Sequence, residues 1–142
     1  MSEPIAEVRV EDTAELGLVD TVHDAVERLW VAVPEVSDDD RMLFALAVSE
    51  LVTNMVEHAQ GMSPPHVSVH LSVDESALTA VLADDADPAL IRLDDVHMPD
   101  ADAESGRGLA LALAALDELA HEPGEGNVWR LRRLRRDDSP PL

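Results

Sequence analysis

The stretch Ala47-Val48-Ser49-Glu50-Leu51-Val52-Thr53-Asn54-Met55-Val56-Glu57-His58-Ala59 decides how this chain is read. With Phe44 ahead of it, Val48, Leu51, Met55 and Ala59 recur at helical spacing and make one apolar stripe. Glu50 and Asn54 stand four residues apart, so they leave one helix face one turn above the other. Glu57 and His58 lie a turn further on. The helix predicted here begins at Ser37, with Asp40 three residues later in a capping-box pattern whose acid is shorter than usual. Asp38, Asp39 and Asp40 also put negative charge on the positive end of the helix dipole. The helix runs to about Ala59, ahead of Gly61 and the Pro64-Pro65 pair.

Outward from this helix the periodicities change. Towards the N-terminus, Glu15–Val33 carries Leu18, Val22, Val26, Leu29 and Val33 at helical spacing and is stopped by Pro34. Ile5–Val10 alternates and reads as a strand. On the other side, His66–Val73 alternates Val67, Val69, Leu71 and Val73 with polar residues. A turn at Asp74–Ser76 leads to a strand over Ala77–Ala83, and the two form an antiparallel hairpin. Asp94–Ser105 has no period and is rich in Asp, Pro and Ala, so it is a loop. The Leu/Ala-rich Gly108–Ala120 reads as a helix by propensity, closed by Pro123-Gly124. Gly126–Arg136 is the last strand, and residues 137–142 are a flexible tail. The order β-α-α-β-β-α-β predicts one α+β domain over residues 1–136, a two-layer α/β sandwich. Helices would cover one face of a mostly antiparallel sheet.

Composition excludes several classes of function. The 142 residues suit one domain with a real core. There is no cysteine, so disulfides and thiolate metal sites are out. Met1-Ser2-Glu3-Pro4 lacks the apolar run of a signal peptide. The longest apolar stretch, around Leu109–Leu116, is far short of the roughly 20 residues of a membrane span. A soluble, cytoplasmic protein is expected. The net charge of −20 argues against direct nucleic-acid binding and against anionic membranes, and it favours a basic partner surface. No lysine is present, so any phosphate contact must come from arginine, backbone N–H groups or a metal.

Three clusters carry chemistry. On the central helix, Glu50 can orient or deprotonate a hydroxyl, and Asn54 offers a neutral oxygen suited to Mg²⁺ held also by phosphates and water. At a strand end, Asp84 in Asp84-Asp85-Ala86-Asp87-Pro88 can accept a hydrogen bond from the exocyclic amine of a base. Before the last helix, Ser105-Gly106-Arg107-Gly108-Leu109 lets backbone N–H groups and the helix dipole meet an anion, with Arg107 adding a forked cation. Each by itself has an ordinary explanation: a solvated helix face, turn-forming aspartates, a glycine turn ahead of a helix. Together, in this order, they are far more specific.

In that combination the chain resembles the GHKL-type ATPases, and within them the anti-sigma-factor serine kinases of the RsbW/SpoIIAB kind. Ala47–Ala59 looks like the family's N box, Asp84–Pro88 like its G1 box and Gly106–Leu109 like its G2 box. Asp94–Ser105 falls where the family has a mobile lid. The resemblance implies the Bergerat ATP-binding fold and ATP with Mg²⁺ as cofactors. It implies Glu50 as catalytic base, Asn54 as Mg²⁺ ligand and Asp84 as adenine acceptor. Ala86 would complete the G1 box, and Gly106, Arg107, Gly108 and Leu109 would line the phosphates. The implied activity is serine/threonine phosphorylation of an anti-anti-sigma (STAS-type) protein by a homodimer that also binds a sigma factor. One residue departs from the pattern: Ala86 stands where the G1 box has glycine, and its methyl would crowd the nucleotide or forbid a positive φ. That departure leaves open a binding module of the same fold that sequesters a regulator without catalysis.

The remaining features are ordinary. Arg130, Arg132, Arg133, Arg135 and Arg136 hold half of the cations and are expected to balance acidic surface. His58 has no second histidine at ligand spacing on its helix. Trp30 and Trp129 are expected in the core, although Val128-Trp129 does not fix which face of its strand is inward.

Overall fold

In the computed structural model, residues 3–57, 65–85, 107–124 and 126–136 are described. The elements are β1 (Ala6–Thr13), α1 (Leu16–Ala32), α2 (Asp38–Glu57), β2 (His66–Val73), β3 (Ala77–Asp84), α3 (Arg107–Ala115), β4 (Glu118–Pro123) and β5 (Asn127–Leu134). The five strands form one sheet in the order β1-β2-β3-β5-β4, and every neighbouring pair is antiparallel. Alternation sets the layers, as the sequence predicts: Val67, Val69, Leu71 and Val73 of β2 are buried while the residues between them are not. The register places them on the same face as Leu78, Ala80 and Leu82 of β3 and Trp129 and Leu131 of β5. Helices α1 and α2 cover that face.

The helical stripes are those read from the sequence. Leu18, Val22, Val26, Leu29 and Val33 are buried along α1, and Phe44, Val48, Leu51 and Met55 along α2. Trp30 meets Phe44 edge to face, with ring centroids 6.2 Å apart. The loop between these helices is pinned by Arg41, which donates to the carbonyls of Val36 and Pro34 at 3.0 and 2.6 Å. Ala59, the end of the expected stripe, lies outside the described residues, as does the 137–142 tail.

The C-terminal third differs from the expectation. The helix expected over Gly108–Ala120 stops at Ala115, and Glu118–Pro123 is a strand at the sheet edge. Local propensity favours helix there, but pairing with β5 decides it. Glu118 lies opposite Arg132 and Glu122 reaches Arg130 at 3.0 Å, so carboxylates on β4 meet guanidiniums on β5. Leu119 and His121 turn inward against Leu131 and Trp129. The break itself is fastened by Asp117, whose N–H donates to the carbonyl of Arg132 and whose carboxylate accepts from the N–H of Leu134.

Asp40 also differs from its expected role. Its N–H donates to Ser37 Oγ at 3.1 Å, which is half of the expected cap. Its carboxylate does not turn back to the helix start. It is fully buried, accepting from Arg133 Nε at 3.0 Å and from the N–H of Arg136 at 2.7 Å. Arg133, itself buried, donates a second bond to the carbonyl of Ala115 at the end of α3. One guanidinium therefore joins the start of α2, the end of α3 and the end of β5. Arg130, Arg132 and Arg136 pair at the surface with Glu122, Glu118 and Asp117, as expected of a charge-balancing run.

Two predictions follow from these contacts. Replacing Arg133 alone strands a buried carboxylate, so Arg133→Met should lower unfolding stability by about 3–5 kcal/mol. The double variant Arg133→Met with Asp40→Leu should lose less, as read by urea denaturation. Asp117 is held below its ordinary value of 3.8 chiefly by the Leu134 N–H; burial opposes this, and Arg136 adds to the lowering. A depressed carboxylate contributes stability that is present above its unfolded value and lost as pH falls through the folded one. Asp117→Asn should therefore flatten the fall in urea midpoint below about pH 4 and leave a pH-independent loss above it.

Candidate functional site

The clamp at Arg133 fixes which way the helices run. The sheet ends beside it, since β3 starts at Ala77 and Leu78 pairs with Arg133. A helix starting there with a buried stripe through Met55 must run over the sheet towards the other end of β3. The rise from Asp40 to Asn54 along α2 is about 21 Å. That from Leu78 to Asp84 along β3 is about 20 Å. Asn54 and Asp84 thus come to the same end of the domain. Helix α3, whose last turn is tied to the same guanidinium, packs along α2 in the opposite sense. Its first residues lie about 12 Å back from the clamp, level with the middle of α2 near Glu50.

Each expected site residue can now be placed. Glu50 and Asn54 are half-buried on α2, and Ser49 and Thr53 beside them are half-buried too. Asp84 is the last residue of β3 and shares the helix-covered face with Val67 and Asn127, its cross-strand neighbours. Arg107, Gly108 and Leu109 form the first turn of α3. Ala86, Gly106 and the Asp94–Ser105 loop lie outside the described residues, as does His58. By these rises Asn54 and Asp84 lie towards the same end of the domain, and the α3 start lies level with Glu50.

The two adjacent aspartates of the strand end have different jobs. Asp85 closes the sheet: its carboxylate accepts from the N–H of His66 at 2.7 Å, and its own N–H donates to the His66 carbonyl. Asp84 turns to the covered face. There the Asn127 side-chain N–H donates to Asp84 Oδ1 at 2.9 Å. On its other side, Asn127 Oδ1 lies 2.8 Å from His121 Nε2. The His121 ring rests on Trp129, centroids 4.3 Å apart. Asn127 is buried. Gly126 passes so close that a Cβ there would overlap the carbonyl oxygen of Asp84.

Asn127 and His121 were not singled out in the sequence. His121 lies just past the segment read as helix, and Asn127 gains its meaning only from the β3–β5 register. The alternation Leu119, His121 on a strand was the signal available.

The fold defines a two-layer domain with a half-buried acid and amide on α2 and an aspartate at the end of β3. A profile of the Histidine kinase-like ATPase domain family matches residues 13–133, and the chain belongs to that family. No curated protein matches the sequence. Among solved structures, the RsbU and RsbW domains of Rv1364c from Mycobacterium tuberculosis are similar at 24% identity and a TM-score of 0.63. That match covers 92% of this chain and 33% of the other, so this chain spans about a third of its length. The histidine kinase domain of the blue-light activated histidine kinase from Erythrobacter litoralis EL346 is similar at 18% identity and a TM-score of 0.51, covering 82% of this chain and 59% of that one. These likenesses show the fold: a five-stranded antiparallel sheet with helices, as in GHKL ATPases.

The contact at Gly126 gives a direct check. Gly126→Ala must push the β4–β5 turn away from Asp84, and overpacking of this kind should cost about 1–3 kcal/mol. Urea denaturation reads it, and Gly124→Ala, where a Cβ meets nothing within 4 Å, is the control.

Proposed function

We propose that this domain binds Mg²⁺-ATP at the Asp84 end of the sheet and transfers a phosphoryl group to a serine or threonine hydroxyl of a partner protein. The observation that carries this is Asp84: an inward carboxylate, fixed by a neighbouring amide, in a chain of the ATPase family. A carboxylate accepts hydrogen bonds and donates none, so it selects an exocyclic amine such as that of adenine. Bound nucleotide supplies the electrophilic γ-phosphoryl group.

The chain's own residues supply the rest. Glu50, half-buried on α2, accepts or orients the proton of the incoming hydroxyl. Asn54, one turn on, offers its side-chain oxygen to Mg²⁺. Among the described residues no group of three or more His, Asp or Glu side chains could hold a metal. A single amide ligand fits an ion that takes its other oxygens from phosphates and water. The first-turn N–H groups of α3, which a helix leaves without partners of its own, would meet anionic oxygens. With a net charge of −20, these donors and the ion must offset the phosphate charge.

The partners follow from the family resemblance and the RsbW-like neighbour: an anti-anti-sigma protein of STAS type as substrate, a sigma factor as ligand, and a second copy of the chain as dimer mate. Partners of this kind place the domain in the cytoplasm as a regulator of transcription. One sequence feature favours a second reading. Ala86 replaces the G1 glycine, and a catalytically silent domain that only sequesters its partner would tolerate that methyl.

Two variants separate the roles. Asp84→Asn should weaken ATP binding at least tenfold by calorimetry, an effect of about 1.4 kcal/mol or more. Glu50→Gln should leave binding near wild type and reduce transfer of radiolabelled phosphate by about 100-fold or more. Binding without transfer in the wild type would move the domain to the sequestering reading.

A further inference from the structure

The polar chain His121–Asn127–Asp84 carries an inference about base selection, resting on the nucleotide-binding reading above. Its logic is one of donors and acceptors. Asp84 as a carboxylate can only accept, so the Asn127 amide must present its NH₂ to it. That orientation turns the amide oxygen to His121, so the 2.8 Å contact needs the proton on His121 Nε2. The ring is held at that angle by Trp129, which is buried. Every member of the chain is thus assigned one role, and none of the roles can be reversed alone.

We propose that His121 and Asn127 are positioning residues that keep Asp84 a fixed hydrogen-bond acceptor and so make the site choose adenine over guanine. The chain joins three strands: Asp84 from β3, Asn127 from β5 and His121 from the edge strand β4. A rotating carboxylate, or one sharing a proton with a neighbour, would accept less well from the adenine amine. It would also tolerate the guanine carbonyl oxygen, which needs a donor. Gly126, packed under the Asp84 carbonyl, holds the same strand end from the backbone side.

The test measures ATP and GTP affinities by calorimetry on the full chain, with circular dichroism as a folding control. Four variants are compared: Asp84→Asn, Asn127→Asp, His121→Phe and His121→Gln. Asn127→Asp sets two carboxyl groups together, so one takes a proton and can donate; the ATP-to-GTP preference should fall about tenfold or more. His121→Phe keeps a ring on Trp129 but loses the N–H, and should reduce the preference several-fold. His121→Gln restores a donor and should recover part of it. A merely structural role would lower both affinities together and leave their ratio unchanged, which overturns the inference. So does a wild-type ratio in both Asn127→Asp and His121→Phe while Asp84→Asn abolishes binding. If the wild-type chain binds no ATP, or Asp84→Asn binds it equally well, the nucleotide reading itself fails and the positioning role falls with it. Should Asn127→Asp not fold, His121→Phe and His121→Gln decide the matter between them.

Discussion

A single buried ion pair sets the geometry of this domain. Asp40 is fully buried and Arg133 nearly so, and the charges are 3.0 Å apart. Burying two charges is expensive unless their remaining hydrogen-bonding groups are satisfied. Here they are shared out: Arg133 also donates to Ala115, and Asp40 also accepts from Arg136. The pair therefore contributes less as net stability than as register. It fixes where α2 begins, where α3 ends and where β5 stops, all at one corner of the sheet.

The position of the proposed site follows from that corner. Because α2 and α3 are tied at opposite termini, α2 runs away from the clamp and α3 runs back towards it. Half-buried Asn54 is carried towards the far end, where β3 ends at Asp84, while α3 begins level with Glu50 at the middle of α2. The division has a physical sense. The clamp end is closed by charge-assisted bonds, while the far end holds the half-buried Asn54 and Asp84 beside the buried Asn127. The buried ion pair stands at one end and the proposed nucleotide site at the other, joined by the apolar stripes of two helices on one sheet face.

Periodicity made half of this legible from the sequence. The stripes of α1 and α2, the alternation of β2 and the strand over Ala77–Ala83 are local signals, and the structure follows each of them. Asp84, Glu50 and Asn54 stood out in the sequence because they match the order of the family motif, and they lie at the end of β3 and half-buried on α2. Three features were not. Strand β4 is hidden because Leu119 to His121 continues a Leu/Ala run whose local preference is helical, and only β5 supplies the partner that overrides it. The Asp40–Arg133 pair spans 93 residues, so local reading saw a cap at one end and a solvated arginine run at the other. Asn127 and His121 meet Asp84 through cross-strand register, which no spacing along the chain records.

The most direct measurement is a backbone amide NMR titration of the ¹⁵N-labelled chain with Mg²⁺-ATP. Shifts should gather at Glu50, Asn54, Asp84, Asn127 and the first turn of α3. Amides around Asp40, Ala115 and Arg133 should stay still. Shifts centred on the uncovered sheet face at His70, Arg130 and Arg132, or none at saturating nucleotide, would contradict a site at the Asp84 end.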